Sequence, residues 1–104
     1  MIDATKQQPA LGQVAKVLRG REQEQYAIVV RLEDSRFVWI ADGDKRKFDQ
    51  PKKKNILHLH LLNYISSEVA DSLNETGRVT NAKLRYALNK FVELELADAQ
   101  QKGE

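Results

Sequence analysis

Apolar and polar residues alternate along much of the first two thirds of the chain, as expected for strands that turn one face towards a core. The alternation is clearest from Tyr26 to Leu32. A short apolar stretch from Val14 to Val17 precedes it, and a β-prone run from Phe37 to Ala41 follows it. These three segments are predicted to be strands.

Two further strands are predicted on either side of Pro51. Asp42-Gly43 suits a tight hairpin turn, so Lys45 to Phe48 are expected to return as the partner of the third strand. Proline ends that strand because it cannot donate to the ladder, and the run from Ile56 to Leu61 then alternates again. Five short strands within about fifty residues predict a small closed or nearly closed barrel.

The hydrophobic period lengthens after the last predicted strand, and this change indicates two helices. The first helix is expected to begin at an N-cap, Ser66 or Ser67, and to end at Gly77. The second is expected to begin at Thr80 or Asn81, with an apolar stripe that needs a partner surface. That stripe contains Leu84, Leu88 and Phe91.

The chain of 104 residues has room for one modest core with an appendage, which excludes two separate catalytic domains. The predicted fold class is mainly β with C-terminal helices. We divide the chain into a disordered N-terminus (1–10), a β-barrel (11–63), a helical extension (64–98) and a flexible tail (99–104).

Composition narrows the classes of function. The chain has no cysteine, so disulfides, thiolate zinc sites and cysteine nucleophiles are excluded, and a reducing compartment is suitable. The start of the chain is polar, and no segment approaches the roughly 20 apolar residues of a membrane span. We therefore expect a cytoplasmic protein that has no membrane partner.

Positive charge is concentrated in the first part of the chain, although the net charge is only +2. Residues 1–65 carry a net charge of +4, and residues 66–104 carry −2. The basic residues between positions 45 and 54 are Lys45, Arg46, Lys47, Lys52, Lys53 and Lys54. Such a cluster can approach phosphates and release counterions, although charge alone also fits a solvated loop that protects a strand edge.

The sequence resembles a KOW module over about residues 11–62. The resemblance is carried by Gly12 to Val17, Gly20, Tyr26 to Val30 and Trp39 to Gly43. More closely, it resembles the KOW proteins of the archaeal and eukaryotic large ribosomal subunit and their small bacterial relatives. The segments Lys52 to Asn55 and Gly77 to Asn81 strengthen the match to the bacterial group. Glu24 and Ala27 stand where the general pattern has glycine. The resemblance implies an SH3-like barrel with a helical extension that binds RNA or, as in transcription elongation factors, RNA polymerase.

The predicted RNA contacts lie in two loops. Residues 45–54 form the main one, and Arg19 and Arg21 flank Gly20 in an earlier loop, where guanidinium groups can contact phosphate or stack on a base. Phe48 lies among the cations and is the aromatic residue best suited to base stacking, with closure of the barrel as its alternative role. Burial is expected for the other aromatic residues of the strands, with base stacking as the alternative: Tyr26, Phe37 and Trp39.

No catalytic site, metal site or cofactor is predicted. The sequence contains no Gly-rich phosphate loop, nucleophile elbow or His-Glu-x-x-His motif. His58 and His60 share a face of the predicted strand, but a third metal ligand is not evident, and a solvent-facing pair is the simpler interpretation. Asp42 and Asp44 suit turn chemistry better than acid–base catalysis.

The sequence therefore predicts a non-enzymatic, ribosome-associated protein whose expected partner is ribosomal RNA. An alternative is a protein-interaction module that docks on a ribosomal protein or on RNA polymerase. It would use the barrel edge or the second helix, through Leu84, Leu88 and Phe91. A third possibility is a structural accessory held permanently within an assembly.

Overall fold

The computed structural model describes the backbone of residues 8–102 and the side chains of residues 8–98. Five strands precede two α-helices in this part of the chain, and a short 3-10 turn (Ile56–His58) joins the last two strands. The strands are β1 (Gln13–Val17), β2 (Tyr26–Leu32), β3 (Phe37–Ala41), β4 (Lys52–Asn55) and β5 (Leu59–Ile65). The helices are α1 (Ser67–Thr76) and α2 (Asn81–Lys102). The fold is therefore mainly β with C-terminal helices, as the sequence predicts.

The five strands form one antiparallel sheet in the order β4-β3-β2-β1-β5, and the sheet is strongly curled. In a flat sheet the two edge strands would lie roughly 19 Å apart. Here β4 and β5 are the edge strands, yet a turn of three residues joins them. The turn is hydrogen-bonded to both sides of the curled sheet. Ile56 N–H donates to the Arg36 carbonyl, next to β3, and the His58 carbonyl accepts from Leu18 N–H, next to β1. The domain is therefore barrel-like.

The inner face of the sheet and part of its outer face are buried, which gives the protein two apolar cores. In β2, Ala27 and Val29 point into the barrel, whereas Ile28 and Val30 point outwards to the helices. The inner core consists of Ala15, Val17, Ala27, Val29, Val38, Ile40, Leu59 and Leu61. The outer core joins the sheet to residues of α1 and α2, among them Val69, Leu73, Leu84, Ala87 and Phe91. The helices thus pack on the barrel.

The apolar stripe of α2 is used within the molecule. Leu84 is fully buried and Phe91 is 4% exposed. The Phe91 ring meets the Tyr26 and Tyr64 rings, each with its centroid 5.2 Å away. A docking mode that presents Leu84 and Phe91 to a partner is therefore wrong, because the barrel already covers both side chains.

Local signals at the ends of the helices are confirmed. Ser66 is the N-cap of α1, and its hydroxyl accepts a hydrogen bond from Val69 N–H. Gly77 ends α1 in the left-handed conformation, with φ of 75°. The hydroxyl of Thr80 accepts from Lys83 N–H at the start of α2. The cap residues thus fix where each of these three ends falls.

The predicted fourth strand is wrong. Residues Lys45 to Phe48 lie in a loop, and β4 begins only after Pro51. Within this loop, the Asp42 carboxylate accepts hydrogen bonds from Asp44 N–H and Arg46 N–H, which gives a wider turn than a two-residue hairpin. The basic segment 45–54 is consequently part loop and part strand.

The two ends of the chain differ from the predicted boundaries to different degrees. The helical extension continues to Lys102, past position 98, because the sequence after Leu96 contains no glycine or proline before Gly103. Most of the predicted N-terminal tail, and the last two residues, lie outside the described residues. Within the described part, neither helix has the length and apolar character needed to cross a bilayer.

Candidate nucleic-acid interface

Two loops meet at one end of the barrel. The first loop (residues 18–25) joins β1 to β2, and the second loop (residues 42–51) joins β3 to β4. They are neighbours because the start of β2 pairs with the end of β3, as the partners Ile28 and Ala41 show. An ion pair of 3.5 Å between Glu22 Oε2 and Arg46 Nη2 links the two loops directly.

The first loop presents Arg19 and Arg21 to solvent. Its path is held by Glu24, whose N–H donates to the Val17 carbonyl and whose carboxylate lies 3.1 Å from Lys16 Nζ. Glu24 has a φ of 72°, in the region that glycine adopts most easily. This position is one where the KOW pattern has glycine, so the backbone requirement is present although the residue type differs.

The second loop is anchored on the start of α2. Phe48 N–H donates to Asn81 Oδ1 at 2.8 Å, and Arg85 Nη1 donates to the Gly43 carbonyl at 2.7 Å. Gly43 itself lies against Asn81 and Leu84 with no room for a side chain. The helical extension therefore positions the loop that carries the basic residues.

Four of the predicted RNA contacts are exposed on these two loops, and they are Arg19, Arg21, Lys45 and Lys47. None of the four side chains has an ion pair among the described residues. The loops thus bring together cations from positions more than twenty residues apart in the chain.

Arg46 is only partly available, because its side chain is 34% exposed and its guanidinium faces Glu22. Burial alone would raise the pKa of Glu22, but its backbone hydrogen bond, the charge of Lys52 and the contact with Arg46 outweigh burial and leave that pKa below its usual value. Glu22 Oε1 and Arg46 Nε are buried without a hydrogen-bond partner among the described residues. The two loops are therefore linked by an ion pair, and each partner keeps one buried polar atom without a hydrogen bond.

The stability that Glu22 contributes should depend on pH. A carboxyl whose pKa is lower in the folded state stabilises the fold above its ordinary value of 4.5, and this contribution is lost as pH falls through the folded-state pKa. We expect Glu22→Gln to be less stable than the parent at pH 7 and the difference to shrink below pH 4.5 in urea unfolding. Glu93→Gln, an exposed change of equal charge on α2, should show no comparable trend; a Glu22→Gln difference independent of pH would contradict this account.

The three lysines of β4 have different surroundings. Lys53 points outwards, with Nζ 2.8 Å from Glu33 Oε2, and Lys52 is half-buried beside Glu22 and Arg46. Lys54 is 8% exposed, and its Nζ donates to the Arg19 carbonyl at 2.8 Å. That bond ties edge strand β4 to the first loop and leaves little of Lys54 accessible to a phosphate, so its predicted RNA contact stays a prediction.

Phe48 is half-buried and packs against the outer core. Its ring also borders a surface groove, together with Pro51 and Leu73. The structure therefore gives Phe48 a packing role and leaves part of the residue accessible from the groove.

Arg31 is a further candidate contact residue, which the predicted alternation of β2 did not identify. It lies opposite Trp39, and its guanidinium carbon is 5.2 Å from the centre of the Trp39 ring. A β-bulge between Val29 and Arg31 shifts the register, which turns Arg31 to the same outer side of the sheet as Trp39. A strict period of two cannot reveal this placement.

Comparison with known proteins gives one informative match. A protein of Bacillus subtilis (strain 168) that carries the name "Putative ribosome-binding protein YbzG" is 49% identical to this chain over 71 residues, which cover 68% of the chain and 96% of the relative. No protein-family model matches the chain, so membership of the KOW family stays a prediction. At this identity and coverage, the chain belongs to the same protein family as YbzG.

Proposed function

We propose that this chain is a non-enzymatic, cytoplasmic RNA-binding protein of the KOW type that associates with the ribosome and contacts ribosomal RNA through its two basic loops. The observation that carries the proposal is the convergence of Arg19, Arg21, Lys45 and Lys47 at one end of the barrel. The name of the Bacillus subtilis relative supports a ribosomal partner. The curled five-stranded sheet with a 3-10 turn before its last strand supports the SH3-like assignment.

The arrangement suits phosphate binding because the cations are exposed while their backbones are held. Lysine and arginine that neutralise phosphates release counterions, which gives affinity without sequence preference. Anchoring of the second loop by Asn81 and Arg85 reduces the loop entropy that binding must remove. Arg46 can exchange Glu22 for a phosphate, since their 3.5 Å contact is long for an ion pair.

A non-enzymatic role is supported by the way Asp42 of the second loop is used. Asp42 accepts two backbone hydrogen bonds and shapes the turn. This engagement explains its presence without acid–base chemistry.

Removal of two loop lysines should weaken binding in a salt-dependent manner. We expect Lys45→Gln/Lys47→Gln to lower the affinity for purified ribosomes and to reduce the slope of log affinity against log salt by about two, because each lysine that neutralises a phosphate adds about one to that slope. Co-sedimentation of the full chain with ribosomes across a potassium chloride series measures both quantities.

The matched control for this measurement is Lys83→Gln/Lys90→Gln, which removes the same charge from exposed positions of α2. It should leave the salt slope nearly unchanged. Equal slopes for the two double variants would show that net charge, and not the loops, governs binding.

A protein-docking function is the second candidate, and the far half of α2 favours it. Leu94 and Leu96 are 51% and 59% exposed there, beyond the part of α2 that packs on the barrel through Phe91. The partner would be a ribosomal protein or RNA polymerase. Crosslinking in cells distinguishes the candidates, because docking predicts protein crosslinks that Leu94→Gln/Leu96→Gln removes and that Lys45→Gln/Lys47→Gln leaves intact.

A further inference from the structure

The outer side of β3 presents two aromatic rings, each with a cation over it. Phe37 and Trp39 share this side because they are two residues apart on one strand. The Arg31 guanidinium carbon is 5.2 Å from the centre of the Trp39 ring, and Lys53 Nζ is 4.8 Å from the centre of the Phe37 ring. Trp39, Arg31 and Lys53 are direct partners across β2, β3 and β4. We refer to these four residues as the stacking surface.

The stacking surface is held in place by Glu33. One carboxylate oxygen accepts a hydrogen bond from Trp39 Nε1 at 2.9 Å, and the other lies 2.8 Å from Lys53 Nζ. Hydrogen bonds from Lys53 and Trp39 hold the pKa of Glu33 below its usual value, so the carboxylate stays charged. Both oxygens are thus engaged within the surface, and the indole edge is fixed.

A groove of about 450 Å³ adjoins this surface, which is within the range of small-ligand sites. Arg31 is common to both, because it covers Trp39 and also lines the groove. Phe48 and Pro51 also line the groove. A planar group that enters the groove can therefore meet the Arg31 guanidinium, with the apolar Phe48 and Pro51 beside it.

We propose that the stacking surface binds an unpaired base of the RNA, with the base stacked on Arg31 above Trp39. This inference rests on the proposed RNA-binding function and adds to it a contact that is separate from the phosphate contacts of the two loops. Unpaired bases stack on aromatic rings and on arginine planes, and here the Arg31 guanidinium lies over the Trp39 ring. Lys53, which lies over the Phe37 ring, adds positive charge that complements a flanking phosphate.

The single tryptophan of the chain, Trp39, makes the site directly observable. The full chain is titrated with a six-nucleotide adenylate RNA and with an abasic strand of the same length, which has the same phosphates but no bases. We expect the adenylate strand to quench Trp39 fluorescence and to bind roughly tenfold more tightly than the abasic strand.

Two charge-matched variants separate stacking from simple attraction. Arg31→Gln removes the guanidinium that lies over Trp39, whereas Arg36→Gln removes an equal charge from the β2–β3 turn, outside the stacking surface. We expect Arg31→Gln to lower the affinity for dye-labelled adenylate RNA roughly tenfold and Arg36→Gln to lower it far less. Trp39→Phe should retain most of the affinity, because it keeps a ring under Arg31, and Trp39→Leu should lose it.

Equal affinity for adenylate and abasic strands, or binding without quenching, would overturn the proposal. Equal losses in Arg31→Gln and Arg36→Gln would also overturn it, because charge alone would then explain binding. These outcomes differ from failure of the loop-based function, which would appear as ribosome binding that does not depend on Lys45 and Lys47. An intact ribosome interaction without base stacking would refute only the stacking surface.

Discussion

Replacement of Phe91 by alanine should lower the free energy of unfolding by about 3–5 kcal/mol. Phe91 is 4% exposed and joins α2 to β2 and β5 through ring contacts with Tyr26 and Tyr64. Its removal leaves a cavity at the centre of the outer core, which the rigid sheet cannot fill. Urea unfolding of the full chain, followed by circular dichroism, measures the change.

Leu96→Ala is the matched control for this substitution, since it shortens an apolar side chain of the same helix at a position that is 59% exposed. We expect it to change the unfolding free energy by no more than about 0.5 kcal/mol. If both variants lost the same stability, α2 would not be packed on the barrel through Phe91. Packing of α2 on the barrel could then no longer explain how the second loop is anchored.

Substitution of Gly43 by alanine is the second change with a large expected effect, about 3 kcal/mol. Gly43 has a φ of 81°, which costs an alanine strain, and the added Cβ would clash with the Asn81 carbonyl oxygen and lie 2.9 Å from Leu84 Cβ. The second loop must then move away from α2. Ribosome co-sedimentation should weaken together with stability, because Lys45 and Lys47 lose their fixed position.

Gly77 offers a control with nearly the same backbone strain and no steric conflict. Its φ is 75°, and a Cβ at this position meets no atom within 4 Å. Gly77→Ala should therefore cost only the conformational strain, about 1–2 kcal/mol, and leave ribosome binding unchanged in buffer without denaturant. Similar losses for both glycines would mean that the contact between the second loop and α2 contributes little.

The elements that depend on local signals could be predicted from the sequence. The alternation of β2 and the β-prone run of β3 give the observed bounds, Tyr26–Leu32 and Phe37–Ala41. Ser66 and Gly77 delimit α1 through their own backbone preferences. These features follow from neighbouring residues, so they need no knowledge of the tertiary structure.

The fourth strand could not be predicted because its position depends on distant residues. Asp42-Gly43 suits a hairpin by local rules, but in α2 Arg85 donates to the Gly43 carbonyl and Asn81 accepts from Phe48 N–H. These partners lie more than thirty residues away in the sequence. Tertiary contacts here override a local turn preference.

The candidate site was predictable as a region but not residue by residue. Lys52, Lys53 and Lys54 are identical in type, and only the register of β4 separates the half-buried, the outward-facing and the buried position. Buried lysines are rare, and this one depends on the carbonyl of Arg19 across the barrel. The orientation of Arg31 could not be predicted, because it depends on a bulge that leaves no clear mark in the sequence.

The pairing of β1 with both β2 and β5 has a consequence for synthesis of the chain. The hairpins from β1 to β4 consist of sequence neighbours, and they can form as the nascent chain lengthens. The second partner of β1 is the last strand to be translated, so the curled sheet can close only after Ile65 has left the ribosomal exit tunnel. The second loop is anchored on α2, which follows β5 in the chain, so this loop is also fixed only after that step. The binding geometry is therefore acquired only after β5 and α2 have emerged, and shorter nascent chains expose the same cations without a common arrangement.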